Sequence, residues 1–145
     1  MNWIKEFYTE ASVSEELTIM VRGVPVYYSP EAINAYLGIT PPEKSEFDSL
    51  SQGCSQAQLD KIHRTIGTEK AKWFHKGRSG IFSTKFQKPK ANMWFYFLRH
   101  TLHPTSHDTN LCIERVFVVY CIIERKPFDV GRLICSNIHV CIDGN

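Results

Sequence analysis

Three sets of side chains in this sequence have types and spacings that could support chemistry. The first set is Asp60, Asp108 and Asp143, of which the last two are separated by 34 residues. Three carboxylates in this order are typical of enzymes that hold two divalent metal ions for phosphoryl transfer. The alternative is that Asp108, in a loop rich in Pro, Ser and Thr, caps a helix and that Asp143 is exposed. We favour the alternative, because that chemistry needs a sheet-based core.

The second set is a group of histidines with one cysteine, His100, His103, His107 and Cys112, whose spacing could suit zinc. No second cysteine pair lies nearby, and His100 at a helix end and His107 in a turn have simpler roles. The sequence contains neither a Gly-x-Ser-x-Gly nucleophile motif nor a glycine loop of the phosphate-binding kind. It therefore predicts no catalytic residues, no metal site and no cofactor.

The third set is a basic segment, which holds nine Lys and Arg against one acidic residue between positions 61 and 90. Residues 1–60 hold three basic and nine acidic residues, and residues 91–145 hold five of each. Cations interleaved with aromatic rings can neutralise phosphates and stack bases, although most charge runs only solvate a surface. The residues predicted for nucleic-acid binding are Lys61, Arg64, Lys70, Lys72, Trp73, Lys76, Arg78, Lys85, Lys88 and Lys90.

The composition is that of one folded domain: 145 residues, 43% of them hydrophobic and 22% charged. The longest apolar run, residues 116–123, is far too short to cross a membrane, and the N-terminus lacks a secretory signal. We expect an intracellular protein, in the nucleus or the cytoplasm, whose five cysteines are reduced thiols and mostly small buried hydrophobes.

The N-terminal half predicts short elements. A helix over residues 3–11 and two strands within residues 17–28 come first. Ser29 and Pro30 then start a helix that Gly38 ends. A capping box at residues 55–58 opens another helix, which Gly67 ends, and a further turn or two carries Trp73. Residues 75–90 are predicted to be an exposed basic loop.

The C-terminal half predicts three apolar helices, at about residues 91–102, 110–124 and 130–142. Residues 116–123 resemble a buried strand by propensity, but their capped surroundings favour a helix. The fold class is therefore mainly α, a single compact helical domain with a small β-hairpin near residues 17–28. Its predicted core contains Trp94, Phe97, Val116, Tyr120, Ile123, Leu133 and Ile134.

Several segments, taken in order, resemble the putative plant transposon protein domain, a family found in plant retroelement-derived reading frames. The segments are Phe7-Tyr8, Val21 to Val26, Ser29 to Asn34, Trp94 to Leu102, Pro104 to His107, Glu114-Arg115 and Lys126 to Ile134. They cover nearly the whole chain, whereas Cys112 and Cys121 stand where apolar or small residues are expected.

The resemblance implies an origin in a transposable element and no established reaction. It also implies that the chain is a fragment or relic of a longer protein. We predict a non-catalytic interaction or assembly domain with a nonspecific nucleic-acid-binding surface, and protein partners are the other expectation. The alternative is a metal-dependent phosphoryl-transfer enzyme of the transposase or integrase kind. No membrane partner is expected, and the residues indicate no small-molecule substrate.

Overall fold

The computed structural model describes residues 2–14, 16–71, 73–76, 79–83, 85, 87–101 and 110–143, with backbone alone for 73–76, 79–83 and 110–112. Within these ranges the chain is mainly helical, as predicted. No helix there combines the length and the apolar character needed to cross a membrane. The chain divides into two compact units, Met1–Pro41 with Asp129–Asn145 and Pro42–Phe128.

The elements of the first unit are α1 (Trp3–Ala11), β1 (Thr18–Val21), β2 (Val24–Tyr27), α2 (Pro30–Leu37) and α7 (Val130–Asp143). Those of the second unit are α3 (Glu46–Gln52), α4 (Gln56–Ile66), β3 (Trp73–Lys76), β4 (Ser79–Ser83), α5 (Pro89–Thr101), β5 (Asn110–Cys112) and α6 (Ile113–Ile123).

The predicted hairpin near residues 17–28 is confirmed. Strands β1 and β2 pair antiparallel, with Thr18 opposite Tyr27 and Val21 opposite Val24. Both turn residues, Arg22 and Gly23, have positive φ values of 51° and 77°. This is the conformation that a two-residue hairpin turn requires. The hairpin packs on α1 around a small core of Ala11, Ile19, Val21 and Tyr28.

The α2 helix begins and ends where its sequence predicts. The Ser29 side chain accepts a hydrogen bond from the Ala32 amide, Pro30 occupies the first turn, and Gly38 ends the helix in the left-handed conformation with φ 67°. Proline suits the first turn because an amide hydrogen at that position has no acceptor within the helix, so nothing is lost when proline lacks one. Local residue chemistry therefore suffices to specify this helix.

Helices α2 and α7 approach each other closely at Gly131, which is buried in the first turn of α7. A Cβ atom added to Gly131 would lie 2.2 Å from the Pro30 carbonyl oxygen and 2.6 Å from the Asn34 side-chain carbon Cγ. Only glycine fits at such a distance. The α2–α7 junction, defined by Pro30, Asn34, Asp129 and Gly131, is therefore tied to the glycine at this position.

Asn34, only 3% exposed, connects the two helices by hydrogen bonds. Its Nδ2 donates to Asp129 Oδ1 (2.8 Å), and its Oδ1 accepts from the Gly131 amide (2.9 Å). The same Asp129 oxygen accepts from the Arg132 amide (3.0 Å), so Asp129 caps α7 as predicted. The buried asparagine is thus satisfied on both sides of its amide.

The second unit is built around α6, whose residues 115–121 are all buried. Helices α3, α4 and α5 and the strands β4 and β5 pack against it. The helical interpretation of residues 116–123 is confirmed. A helix that is buried on all sides is apolar all round, which is why this run resembles a buried strand in composition. The helix begins at Ile113, not near residue 110, because residues 110–112 form β5.

A three-stranded antiparallel sheet in the second unit corrects two predictions. Strands β3 and β4 pair with Trp73 opposite Phe82, and β4 pairs with β5 with Ile81 opposite Cys112. Residues 75–76 and 79–83 are therefore not loop, and Trp73 does not lie on a helical turn. The aromatic and β-branched residues at 73–74 and 81–82 favour strands, and the third strand comes from a distant segment that no local pattern indicates.

The predicted core is also corrected. Its seven residues divide between the two units, since Leu133 and Ile134 belong to α7, which packs mainly on α2. Val116 and Tyr120 are buried as predicted. Trp94 and Ile123 are half-buried, and Phe97 is 48% exposed. The residues that α5 buries are instead Ala91, Phe95 and Leu98.

Candidate nucleic-acid interface

Helix α4 presents two cations of the predicted set. It opens with a capping box, in which Ser55 and Gln58 each bond the other's backbone amide, and it buries Ile62 and Ile66. Residues three positions apart share a helix face. Lys61 and Arg64 therefore project together from α4, and both are exposed.

The segment that starts at residue 87 is held against the C-terminal end of α4. Gly67 and Gln87 form an antiparallel bridge, and the Lys88 amide donates to the Ile66 carbonyl (2.8 Å). The Lys88 ammonium donates to the Arg64 carbonyl oxygen. A cation is favourable at the negative end of a helix dipole. Two segments 24 residues apart thereby place their cations together.

The turn that follows α4 is fixed in a similar way. The His63 ring donates through Nε2 to the Ala71 carbonyl oxygen (2.7 Å), and the Ala71 amide donates to Thr68 (2.9 Å). This turn carries the exposed Lys70. The contact therefore keeps a third cation next to α4.

The described members of the predicted set are all exposed lysines and arginines, apart from those on β3, and we name these exposed cations together the basic surface. Trp73 and Lys76 lie on β3, of which only the backbone is described, and Lys72 and Arg78 lie outside the described residues. Asp60 and Glu69 are exposed among the cations. The cations outnumber these two carboxylates, so the surface has a positive charge. It contains Lys61, Arg64, Lys70, Lys85, Lys88 and Lys90.

The candidate carboxylates for metal chemistry are placed as follows. Asp60 is exposed on α4 and accepts a hydrogen bond from Gln56 Nε2 (2.9 Å). Asp143 is exposed at the last position of α7, in the other unit. Asp108 lies outside the described residues. In the described part of the chain, no group of three or more His, Cys, Asp or Glu side chains could hold a metal ion.

The histidine set is described at one member only. His100 is exposed in the last turn of α5, where a cation suits the helix dipole. His103 and His107 fall outside the described residues, and Cys112 is described only as backbone of β5.

Two of the free thiols, Cys121 and Cys135, are buried, which agrees with their interpretation as small hydrophobes. Burial, followed by the nearby Glu46 carboxylate, raises the pKa of the Cys121 thiol from 9.0 to about 12, and Lys126 opposes the rise. At neutral pH the thiol keeps its proton. It is therefore a poor nucleophile.

This raised pKa predicts a pH dependence of stability. In the unfolded chain the Cys121 thiol ionises near pH 9, whereas in the folded chain it keeps its proton to about pH 12. The free energy of unfolding should therefore fall between these values, by about 1 kcal/mol per pH unit. Urea denaturation from pH 8 to pH 11 should show a shallower fall in Cys121→Ala than in the wild type. Cys141→Ala, which removes an exposed thiol, is the control, and its free energy of unfolding should fall with pH as steeply as that of the wild type. Equal slopes in all three proteins would contradict the raised pKa of Cys121.

The outer face of α5 carries exposed apolar side chains that do not belong to the predicted set. Met93 and Tyr96 on α5 are 61% and 67% exposed, and Phe97 is turned outward with them. The sequence prediction missed this face because the spacing of Trp94, Phe97 and Thr101 also fits an inner stripe. The alternative stripe at positions 91, 95 and 98 was the signal that could have revealed it.

Comparison with known families gives one result that covers the whole chain. The sequence model of a family described as putative plant retrotransposon-related domain matches residues 1–145. Comparisons with curated proteins and with solved structures found no match. The match confirms the origin that the resemblance implied. The segments 29–34 and 126–134, which carried much of that resemblance, contain all four residues of the α2–α7 junction.

Proposed function

The chain belongs to the putative plant retrotransposon-related domain family, and from this premise we propose that it is a non-catalytic interaction or assembly domain whose basic surface binds nucleic acid nonspecifically. Its retroelement derivation follows from the family itself. The binding activity is the proposal, and the geometry of the second unit supports it.

The observation that carries the proposal is the fixed convergence of cations at the end of α4. Lys61 and Arg64 share a helix face, and the 87–88 segment is bonded to the last turn of the same helix. A charge run that only solvates a loop needs no such attachment. A surface that binds a polyanion benefits from it, because cations already in place lose less entropy on binding.

The expected binding is nonspecific because of the residue types. Lysine and arginine neutralise phosphates wherever these occur along a strand, and each neutralised phosphate releases counterions. Sequence is read instead by side chains that reach base edges. A surface whose described members are all cations therefore predicts affinity with little sequence preference and a steep dependence on salt.

The non-catalytic part of the proposal is supported by the structural roles of residues in the family-like segments. Ser29, Pro30, Asn34, Asp129 and Gly131 cap and pack helices α2 and α7. These contacts stabilise the fold and involve no exposed reactive group. The resemblance to the family thus rests in good part on residues that specify structure.

The enzyme alternative remains distinguishable by experiment. A phosphoryl-transfer enzyme that uses Asp60 should cleave or join DNA in Mg²⁺ or Mn²⁺, and Asp60→Asn should abolish that activity. The proposed domain should bind oligonucleotides without altering them. Turnover by the wild-type chain that is lost in Asp60→Asn would overturn the non-catalytic assignment.

Charge reversal of the α4 face tests the binding proposal. In the double variant Lys61→Glu and Arg64→Glu, affinity for an oligonucleotide should fall about 10-fold at low salt, and the salt slope should become shallower by about 1.4. The matched control is Lys5→Glu with Lys44→Glu, which reverses two exposed lysines outside the basic surface. Fluorescence anisotropy of a labelled oligonucleotide measures both quantities.

Two results would contradict the proposal. One is an equal loss in both double variants, because binding would then depend on net charge and not on the basic surface. The other is a pair of findings: the wild type retains no oligonucleotide at low salt, and the Lys61→Glu/Arg64→Glu variant is less stable than the wild type. The basic residues would then balance the acidic N-terminal residues, and a thermal melt of the same variant would show it.

A further inference from the structure

The outer face of α5 is unusually aromatic for an exposed helix surface. Met93, Tyr96 and Phe97 are 61%, 67% and 48% exposed, while the opposite face buries Ala91, Phe95 and Leu98. Exposed hydrophobic residues that occur singly need no explanation, but several on one helix face indicate a contact surface.

The exposed rings are held in place by their neighbours. The Tyr96 ring lies 4.3 Å from the His100 ring, centroid to centroid, at an interplanar angle of 52°. The Phe97 ring contacts Trp94 edge to face at 5.9 Å and 88°. Rings with restricted orientation lose little conformational freedom when a flat partner stacks on them.

The charge of α5 selects between possible partners. The helix contains no Asp or Glu, and it carries the cations Lys90 and Arg99. Lys90 stands in the first turn, where the helix dipole disfavours a cation. A local preference that is broken in this way is a common mark of a functional position. The face therefore complements an anionic partner that also offers flat apolar surfaces.

The aromatic face is continuous in sequence with the basic surface. The Lys88 backbone carbonyl accepts a hydrogen bond from the Asn92 amide at the start of α5 (2.9 Å), while the Lys88 ammonium donates to the Arg64 carbonyl at the end of α4. Phe97 follows Lys90 by seven residues, about 10 Å along a helix axis. A strand whose phosphates meet Lys88 and Lys90 would therefore have its bases within reach of the rings.

We infer that the α5 aromatic face, Tyr96 with Phe97, stacks unpaired bases, so that the ligand of the basic surface is a single-stranded nucleic acid. This inference rests on the proposed function and names its substrate class. Each base presents a π face to an aromatic ring, which makes stacking tolerant of sequence. In a duplex those faces are occupied by neighbouring bases, so a duplex gains only the phosphate contacts.

The test compares one labelled oligo(dT) single strand of about 20 nucleotides, longer than a typical binding site of ~4–16 nucleotides, with a duplex of the same length. Tyr96→Ala and Phe97→Ala should each weaken single-strand binding by about 5- to 150-fold. Duplex affinity and the salt slope should stay unchanged, because no phosphate contact is lost. Tyr96→Phe keeps the ring and should bind as the wild type does.

Tyr36→Ala is the matched control, because Tyr36 is 90% exposed on α2, a helix without Lys or Arg. It should leave both affinities unchanged. Thermal melts of the two α5 variants should lie close to that of the control, since Tyr96 is 67% and Phe97 48% exposed.

Three outcomes would overturn the inference. Equal losses for single strand and duplex would show that the rings do not read unpaired bases. Unchanged single-strand affinity, with altered self-association in sedimentation, would make the α5 face a protein contact and leave the proposed function standing. If the wild type binds neither probe at low salt, the proposed function fails as well.

Discussion

Replacing Gly131 with alanine is expected to lower the free energy of unfolding by about 3 kcal/mol, at the upper end of the usual cost of overpacking. The added methyl would lie 2.2 Å from the Pro30 carbonyl oxygen, a backbone atom that cannot move aside as a side chain can. Helix propensity alone predicts the opposite sign, a gain of about 1 kcal/mol. The two expectations differ by more than the error of a urea denaturation curve followed by circular dichroism.

Gly53→Ala is the control for this substitution. Nothing lies within 4 Å of a Cβ atom at Gly53, and its extended backbone with φ 177° is open to any residue. The free energy of unfolding should change by less than about 0.5 kcal/mol. A Gly131→Ala protein as stable as this control would show that α2 and α7 do not approach as described.

Replacing Asn34 with alanine should cost about 3 kcal/mol. The change leaves the buried Gly131 amide without its acceptor and removes one donor from the Asp129 carboxylate. A buried unpaired donor costs about 1–3 kcal/mol, and hydrogen bonds to charged groups are worth more than neutral ones. Asn92→Ala, an exposed asparagine on α5, is the control and should change stability little.

The two substitutions should also be coupled. Part of the clash at Gly131 is with the Asn34 side chain, at 2.6 Å to Cγ and 2.7 Å to Nδ2, and Asn34→Ala removes these atoms. The cost of Gly131→Ala should therefore be smaller in the Asn34→Ala background. It should not vanish, because the Pro30 oxygen remains. Full additivity would mean that the two sites act independently.

Much of the fold follows from local sequence. Ser29, Pro30 and Gly38 specify α2 through capping chemistry, and the Arg22-Gly23 turn specifies the first hairpin. The apolar run of α6 is also helical as predicted. In each case the decisive groups are neighbours in sequence, so a pattern read along the chain contains the necessary information.

Features that depend on distant partners could not be predicted. The sheet of β3, β4 and β5 needs a third strand from residues 110–112, and α5 is rotated so that Phe95 and not Phe97 is buried. Asn34 meets Asp129 across 95 positions. Tertiary packing selects among local alternatives that the sequence pattern leaves nearly equal.

The candidate site also has one part that the sequence predicts and another that depends on distant partners. The excess of cations between positions 61 and 90 is visible in the sequence. The bridge from Gly67 to Gln87, which brings Lys88 to α4, is not. Which rings of α5 are exposed depends on how that helix is rotated about its axis. The charge of the surface could therefore be predicted, whereas its assembly from two segments required the structure.

The central claim, that the basic surface neutralises phosphates, is tested most directly by the salt dependence of wild-type binding to an oligo(dT) single strand. The dissociation constant should rise steeply between about 50 and 200 mM salt, with a log–log slope of about 0.7 per phosphate neutralised, hence up to about 4 if all six cations of the basic surface take part. Affinity that does not change over this range, or no retention at the lowest salt, would contradict the account.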